Sequence, residues 1–381
     1  MPVVIAGICA FITLFSPQPI LPLLADVFHA SKVMVALTVT ASTVGVALSA
    51  PLMGQLADRV GRRRVIIASA MTLAIATLLT GTSTTLPMLL FWRFIQGIAT
   101  PGVFSVTTAY VHDEWPATSA ASAISAYVSG TIVGGFGGRV IIGLTAEHLG
   151  WRWSFVVLGC ISLAMAAYLW AYLPHGAKFA RPEVHTDIVR GIGMHLQNRE
   201  LLAAYIVGSC VLFSLTAMFT YVTFHLAAPP FALGPGWLGS IFVVYLVGAA
   251  VTPFAGRRMD RVGHRAMLLR SAGIGAAGAL VTLIPNVWAV IAGLAICSTG
   301  VFIAQAAATS FVGVAAQSNR ALALGLYVSF YYGGGSFGGT APGWLWQRFG
   351  WTGCVALVMM VEMLIAVVSW MLWPARENLA G

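Results

Sequence analysis

Three ionisable side chains interrupt long apolar stretches of this chain, Arg93, Arg139 and Glu362, and a fourth, Asp26, stands at the outer end of the first stretch. A charge in such a setting commonly costs about 2.5–3.5 kcal/mol on insertion scales, so it usually marks a path for protons, ions or a charged solute. Arg93 lies six residues into the apolar run that begins at 87, and Arg139 lies nine residues before His148. On antiparallel neighbouring helices both guanidiniums then sit at similar depth, about 10–14 Å from the same end at 1.5 Å per residue. Two like charges at one depth call for an anion. Asp26 and Glu147 are the candidate partners within the chain, and a carboxylate on a solute is another. The competing reading is a structural Arg–Asp pair that closes one end. On either reading Arg93 matters. Glu362 stands midway along the run 352–373, and a carboxyl in an apolar site can carry a proton. A protonated structural residue bonded to a neighbouring helix is the competing role for Glu362, and Asp26 is the preferred proton-coupling residue.

The elements that must position these groups follow from composition. Of the residues, 8% are charged and 59% hydrophobic, and the mean hydropathy is +0.89. An ordinary soluble domain is about a quarter charged and about half apolar. Lipid is therefore the solvent for most of the chain, and the apolar runs are long enough for membrane helices. A membrane β-barrel is excluded, because its strands alternate apolar and polar residues. The net charge of +9 does not indicate nucleic acid, since the basic residues fall in short loops with little aromatic interleaving. Cys9, Cys160, Cys210, Cys297 and Cys354 all lie in apolar runs without paired spacing. They read as small buried hydrophobes, with no metal site. The first run starts almost at Met1 without a basic segment or cleavage site, so a cleaved signal peptide is not expected.

Apolar runs at 3–24, 34–53, 65–82, 87–110, 119–144, 153–173, 201–226, 237–255, 266–284, 287–311, 321–345 and 352–373 predict twelve helices. The strongly basic segments 54–64, 174–200 and 256–265 fall on one side of such an arrangement, while the turns near 81–86 and 227–236 carry no charge. By the positive-inside rule the basic side is cytoplasmic, and an even helix count places both termini there. The expected organisation is a bundle over 1–173, a cytoplasmic linker over 174–200 and a bundle over 201–381.

The chain is also internally repetitive. GQLADRVGRR at 54–63 and GRRMDRVGHR at 256–265 share six of ten residues. Residues 130–151 align without gaps on 330–351, with Gly134, Gly135, Gly138, Gly143, Gly150 and Trp151 all repeated. Each half has an even number of helices, so the halves are parallel repeats, an arrangement that places a solute site near the bilayer midplane. In this register Ser162 stands at the position of Glu362. Gly130, Gly134 and Gly138, with Gly334 and Gly338 in the second half, recur every four residues, a spacing that lets membrane helices pack backbone to backbone. A helix hinge is the alternative reading.

These residues resemble the major facilitator superfamily over essentially the whole chain. Gly54, Asp58, Arg59, Gly61, Arg62 and Arg63 match the family's loop motif between helices two and three, and Gly256, Asp260, Arg261, Gly263 and Arg265 match it again with His264 in one slot. Arg93, Gln96 and Gly97 match the helix-four motif. Within the superfamily the chain looks most like bacterial drug:proton antiporters of the first type. In the helix-five antiporter motif, Gly135 stands where proline is usual and Arg139 where the last glycine is usual.

The resemblance implies an all-α membrane fold of two six-helix bundles and transport by alternating access. It gives the loop motif the role of a conformational latch. Gly54 allows a close helix approach, Gly61 a tight turn, and Asp58 faces a helix N-terminus in the other half, where an anion gains roughly 0.3–1 kcal/mol. Arg62 would pair with Asp113 or Glu114. Topogenic charge alone is the competing reading, but it needs neither the aspartate nor the glycines. The fold's usual cavity helices suggest Phe15, Gln18, Gln96 and Tyr127 from the first half, and Phe219, Tyr221, Tyr245, Gln305, Tyr327 and Tyr331 from the second. Each aromatic could equally serve interhelical packing.

The expected function is proton-coupled efflux of small amphipathic organic compounds from a bacterial cell, across its inner membrane, by a monomer. The proton gradient supplies the energy, no cofactor is expected, and the partners are the solute, protons and lipid. A specific sugar or metabolite transporter, in either direction, is the alternative, and a non-transporting sensor the third. An enzyme is not expected: no nucleotide loop, metal cluster or catalytic triad appears.

Overall fold

The computed structural model describes residues 1–174, 188–316 and 320–373, and all the regular elements among them are helical. They are α1 (Pro2–Ile12), α2 (Leu21–Val27), α3 (Lys32–Val60), α4 (Arg62–Gly81), α5 (Leu86–Glu114), α6 (Ala117–Leu149), α7 (Trp151–Tyr172), α8 (Ile188–Gln197), α9 (Arg199–Ala227), α10 (Pro235–Ser240), α11 (Val244–Val262), α12 (His264–Val281), α13 (Val287–Ala315), α14 (Arg320–Thr340) and α15 (Pro342–Leu372). Among the described residues, nine helices are long and apolar enough to cross a membrane. The remaining three of the twelve expected crossings have local reasons for falling short. The first is broken between α1 and α2 by Pro17 and Pro19, α12 carries Arg265 and Arg270, and α14 is diluted by glycines. The last crossing is the part of α15 after Gly350, where the backbone leaves helical geometry at φ 58° and ψ −142°.

The chain folds as two compact units, residues 1–185 with 232–242, and residues 186–231 with 243–381. The boundary inside the eighth crossing falls at a 3₁₀ turn, Ile241–Val243, between α10 and α11. The stretch expected to be a plain linker contains α8, and the seventh crossing starts at Arg199 under an Asn198 cap. That cap accepts from the backbone of Glu200 and Leu201, satisfying helix-terminal donors that have no partner in the helix.

Within the first unit α3 packs on α5, α1 on α6 and α4 on α7; within the second α12 packs on α13 and α14 on α9. The repeat extends to the backbone. Gly61 and Gly263, which join the paired helices of each loop motif, have φ of 104° and 86°, and Gly150 and Gly350 have φ of 83° and 58°. Only glycine adopts such angles without a steric penalty. The turn role of Gly61 therefore agrees with its geometry. The close helix approach expected at Gly54 does not: a methyl group built there meets no atom within 4 Å.

Candidate functional site

In the first unit, Pro17 has no N–H to give to the carbonyl four residues back, so the first crossing unwinds after Ile12 and exposes main-chain oxygens. Arg93 of α5 is fully buried there. Its Nε donates to Thr38 O at 3.0 Å and Nη1 to Thr13 O at 2.8 Å, while Nη2 donates to Ser42 Oγ at 2.9 Å. The two remaining donors reach Gln96 Oε1 and Leu14 O. All five guanidinium donors are thus used on α3, α5 and the unwound strand. No donor remains for the shared anion expected from its depth. Gln96 is fixed in turn, its Nε2 donating to Thr77 Oγ1 at 3.0 Å.

Arg139 has a different environment. Its Nε donates to Gln18 Oε1 at 2.7 Å, and the guanidinium carbon lies 5.1 Å from the Phe15 ring centre and 4.6 Å from that of Phe242. Two aromatic faces and an amide hold this cation, an arrangement favoured electrostatically by the ring quadrupoles. Phe15, Gln18 and Arg139 are therefore brought together, and Phe242, which sequence reasoning missed, joins them. Glu147 accepts from the backbone N–H of Gly236 at 3.0 Å. Asp26 is exposed on the last turn of α2, at the end of the first crossing, and is not among the acceptors of Arg93. Tyr127, from the cavity list, donates to Phe104 O at 3.0 Å.

At the opposite end of this unit lies the loop motif. Arg62 Nη1 is 2.5 Å from Asp113 Oδ2 and donates to Ala109 O at 2.6 Å, and Arg62 Nη2 is 3.4 Å from Asp58. Arg63 donates to Leu173 O at 2.8 Å and Trp170 O at 2.6 Å. Arg63 thus satisfies carbonyls at the C-terminal end of α7, where the helix dipole favours a cation, and Arg62 binds a carbonyl in the penultimate turn of α5. In the second unit His264 occupies the position of Arg62 and sits 3.3 Å from Ser310 Oγ, and Arg265 lies over Trp370 at 4.1 Å. The side chains of Asp260 and Arg261 lie outside the described residues. The Arg62–Asp113 pair has side-chain exposures of 26% and 46%, so solvent screens it. Asp113→Asn is expected to change stability by less than about 1 kcal/mol, as read from thermal unfolding in detergent.

The second unit carries uncharged aromatic sets. Phe219 and Tyr245 rings are 4.5 Å apart, Tyr245 and Phe302 5.6 Å, and Tyr327 and Tyr331 5.9 Å. Tyr331 also meets Tyr332, with ring centres 5.4 Å apart. Tyr205, absent from the sequence list, stacks on Phe330 at 5.3 Å, and its hydroxyl is buried without a hydrogen-bond partner. Tyr221 stands apart, donating to Gly339 O at 3.1 Å beside Trp346. Gln305 is half-buried on α13. No group of three or more candidate metal ligands occurs among the described residues.

A family model described as Major Facilitator Superfamily matches residues 3–234 and 227–380. The chain belongs to the Major Facilitator Superfamily. Among superfamily relatives it is 33% identical to the uncharacterised MFS-type transporter YybF of Bacillus subtilis, over 96% of this chain and 90% of that one. It is 30% identical to the inner membrane transport protein YnfM of Escherichia coli, over 94% and 87%. Two solved superfamily-like folds match by shape: a bacterial homologue of the human lysosomal transporter Spinster (TM-score 0.77, 16% identity, 97% and 95% covered) and the nucleoside transporter NupG (TM-score 0.75, 14% identity, 98% and 100% covered). The chain is a multi-pass membrane transporter, and a small-molecule substrate and a lipid bilayer follow from that.

Proposed function

We propose that this transporter exports small amphipathic organic compounds across the bacterial inner membrane in exchange for protons. Its two bundles expose one site to each side alternately, and both termini and the 54–64 loop lie in the cytoplasm. The observation that carries this reading is the pair of aromatic sets in the second unit, Phe219, Tyr245 and Phe302, and Tyr327 with Tyr331. Ring faces with a few hydroxyls suit a moderately apolar solute and give broad rather than strict selection. The buried unpartnered hydroxyl of Tyr205 favours the second reading, a specific metabolite, because a site built to hydrogen-bond its substrate rejects analogues strongly.

The test is flux in sealed proteoliposomes with an imposed pH gradient and a panel of ethidium, other amphipathic dyes, sugars and nucleosides. Accumulation of ethidium on the acidic side, lost on adding an uncoupler, is the expected result. Equal flux with and without the gradient would overturn proton exchange. Transport of one panel member alone, abolished by Tyr205→Phe, would replace the broad reading with the specific one.

A further inference from the structure

The repeat assigns each unit one buried polar centre, and the two centres are built differently. Offsets of about 200 residues relate Thr13 to Ser214, Gln96 to Cys297 and Arg93 to Leu294. In the first unit Arg93 bonds Thr13 and Gln96. In the second, Leu294 leaves the corresponding place without a charge, and Glu362 reaches it from α15. Its carboxyl faces Ser214 on α9, and the thiols of Cys210 on α9 and Cys297 on α13 are within its electrostatic reach. Opposite, on α12, Gly275 makes the room: a methyl group there would stand 3.1 Å from the carboxyl carbon.

Glu362 is 4% exposed, and its Oε1 has no hydrogen-bond partner. The repeat position of Glu362 holds Ser162, whose hydroxyl donates to Leu158 O within its own helix, so the architecture does not require an acid there. The groups of α9, α12 and α13 placed against the carboxyl include a hydroxyl, two thiols and a glycine, and no ion pair to Glu362 occurs among the described residues. Arg93 is a cation held by five acceptors. A carboxyl in the matching place is neutral only when it carries a proton, and an unpaired ionised group in an apolar interior is very costly.

We propose that Glu362 is a proton-binding site of the second unit, and that its protonation is transmitted to the aromatic sets through α9. This rests on the proton-exchange reading above. α9 is the element placed to transmit it. Cys210 and Ser214 face the carboxyl, whereas Gly208 abuts Tyr327, whose ring carbon lies 2.5 Å from a methyl group built on that glycine. Phe219, further along the same helix, holds Tyr245. Loss of the proton leaves a charge that must draw in water or a donor, and the hydroxyl of Ser214, which faces the carboxyl, can turn to it.

Infrared difference spectroscopy of the purified protein between acid and alkaline buffer provides the test, with Glu362→Gln, Glu362→Asp and Ser214→Ala beside the wild type. The wild type is expected to show a carbonyl band of a protonated carboxyl that titrates with pH and vanishes in Glu362→Gln. In Ser214→Ala the band is expected to move without vanishing, which keeps the test decisive should Glu362→Gln fail to fold. An unchanged band in either variant overturns the site. In proteoliposomes the ratio of ethidium flux with and without a pH gradient is expected to fall to about one in Glu362→Gln and to recover in part in Glu362→Asp. A wild-type ratio in Glu362→Gln overturns the coupling role while exchange itself stands. A wild type without gradient acceleration sinks the exchange reading instead, and the band still decides whether Glu362 titrates.

Discussion

Arg93→Ala is expected to cost more than about 4 kcal/mol, in the range reached by few point substitutions and only through a named structural loss. The loss here is the tie between three segments. Arg93 connects Thr38 and Ser42 of α3, Gln96 of α5 and the carbonyls of Thr13 and Leu14 in the unwound strand, where Ser42 also donates directly to Leu14 O at 3.3 Å. Charge-assisted hydrogen bonds each contribute about 1.5–3 kcal/mol net, and five of them share one side chain. Against this stands the cost of burying a guanidinium with no carboxylate partner, which reduces the net well below the sum. The substitution also leaves a cavity where a long side chain stood. Arg93→Lys keeps the charge but offers three donors from one point, so it cannot span α3, α5 and the strand together. It is expected to recover less than half of the loss. The check is the fraction of monodisperse protein after a heating series in detergent, at matched expression. An Arg93→Ala protein that melts with the wild type would remove the knot from this account.

The helices, the repeat and the glycine spacing were readable in the sequence because hydropathy and small-residue periodicity are properties of the sequence itself. The crossing of α1 on α6 is an example: Gly134 and Gly138 fall every four residues and do meet α1. The partners of Arg93 were not readable. Every residue has a carbonyl, and only Pro17 and Pro19 hinted at which carbonyls would be released. Depth along the helix was estimated well enough to put Arg93 and Arg139 inside, but depth does not say what a guanidinium bonds. Phe242 was missed because it lies on a 3₁₀ turn, where helical periodicity gives no face. The environment of Glu362 was partly readable, because the repeat maps Ser214 and Cys297 onto residues around Arg93, while the room made by Gly275 required coordinates.

Gly138→Ala and Gly334→Ala are expected to destabilise strongly, whereas Gly137→Ala and Gly333→Ala, their close neighbours in sequence, are expected to be tolerated. A methyl group on Gly138 would stand 1.8 Å from the carbonyl oxygen of Ile12, and one on Gly334 1.9 Å from that of Ser209. Both obstacles are main-chain atoms in the facing helix, so no rotamer change relieves them and the helices must separate. Overpacking of this kind costs typically 1–3 kcal/mol, and the upper end, about 3 kcal/mol, is expected here. Methyl groups on Gly137 and Gly333 meet no atom within 4 Å. There the gain in helix propensity from glycine to alanine, up to about 1 kcal/mol, is unopposed. The two disruptive substitutions are expected to differ in flux. Ile12 is the last residue of α1, directly before the strand that Arg93 holds, so moving it strains Thr13, Leu14 and, through Gln18, Arg139. Ser209 has no such attachment, because Leu294 stands in place of Arg93. At temperatures where both variants remain folded, Gly138→Ala is therefore expected to lose more transport than Gly334→Ala. Equal thermal midpoints for Gly137→Ala and Gly138→Ala would show that the crossing of α1 on α6 is looser than its contacts require.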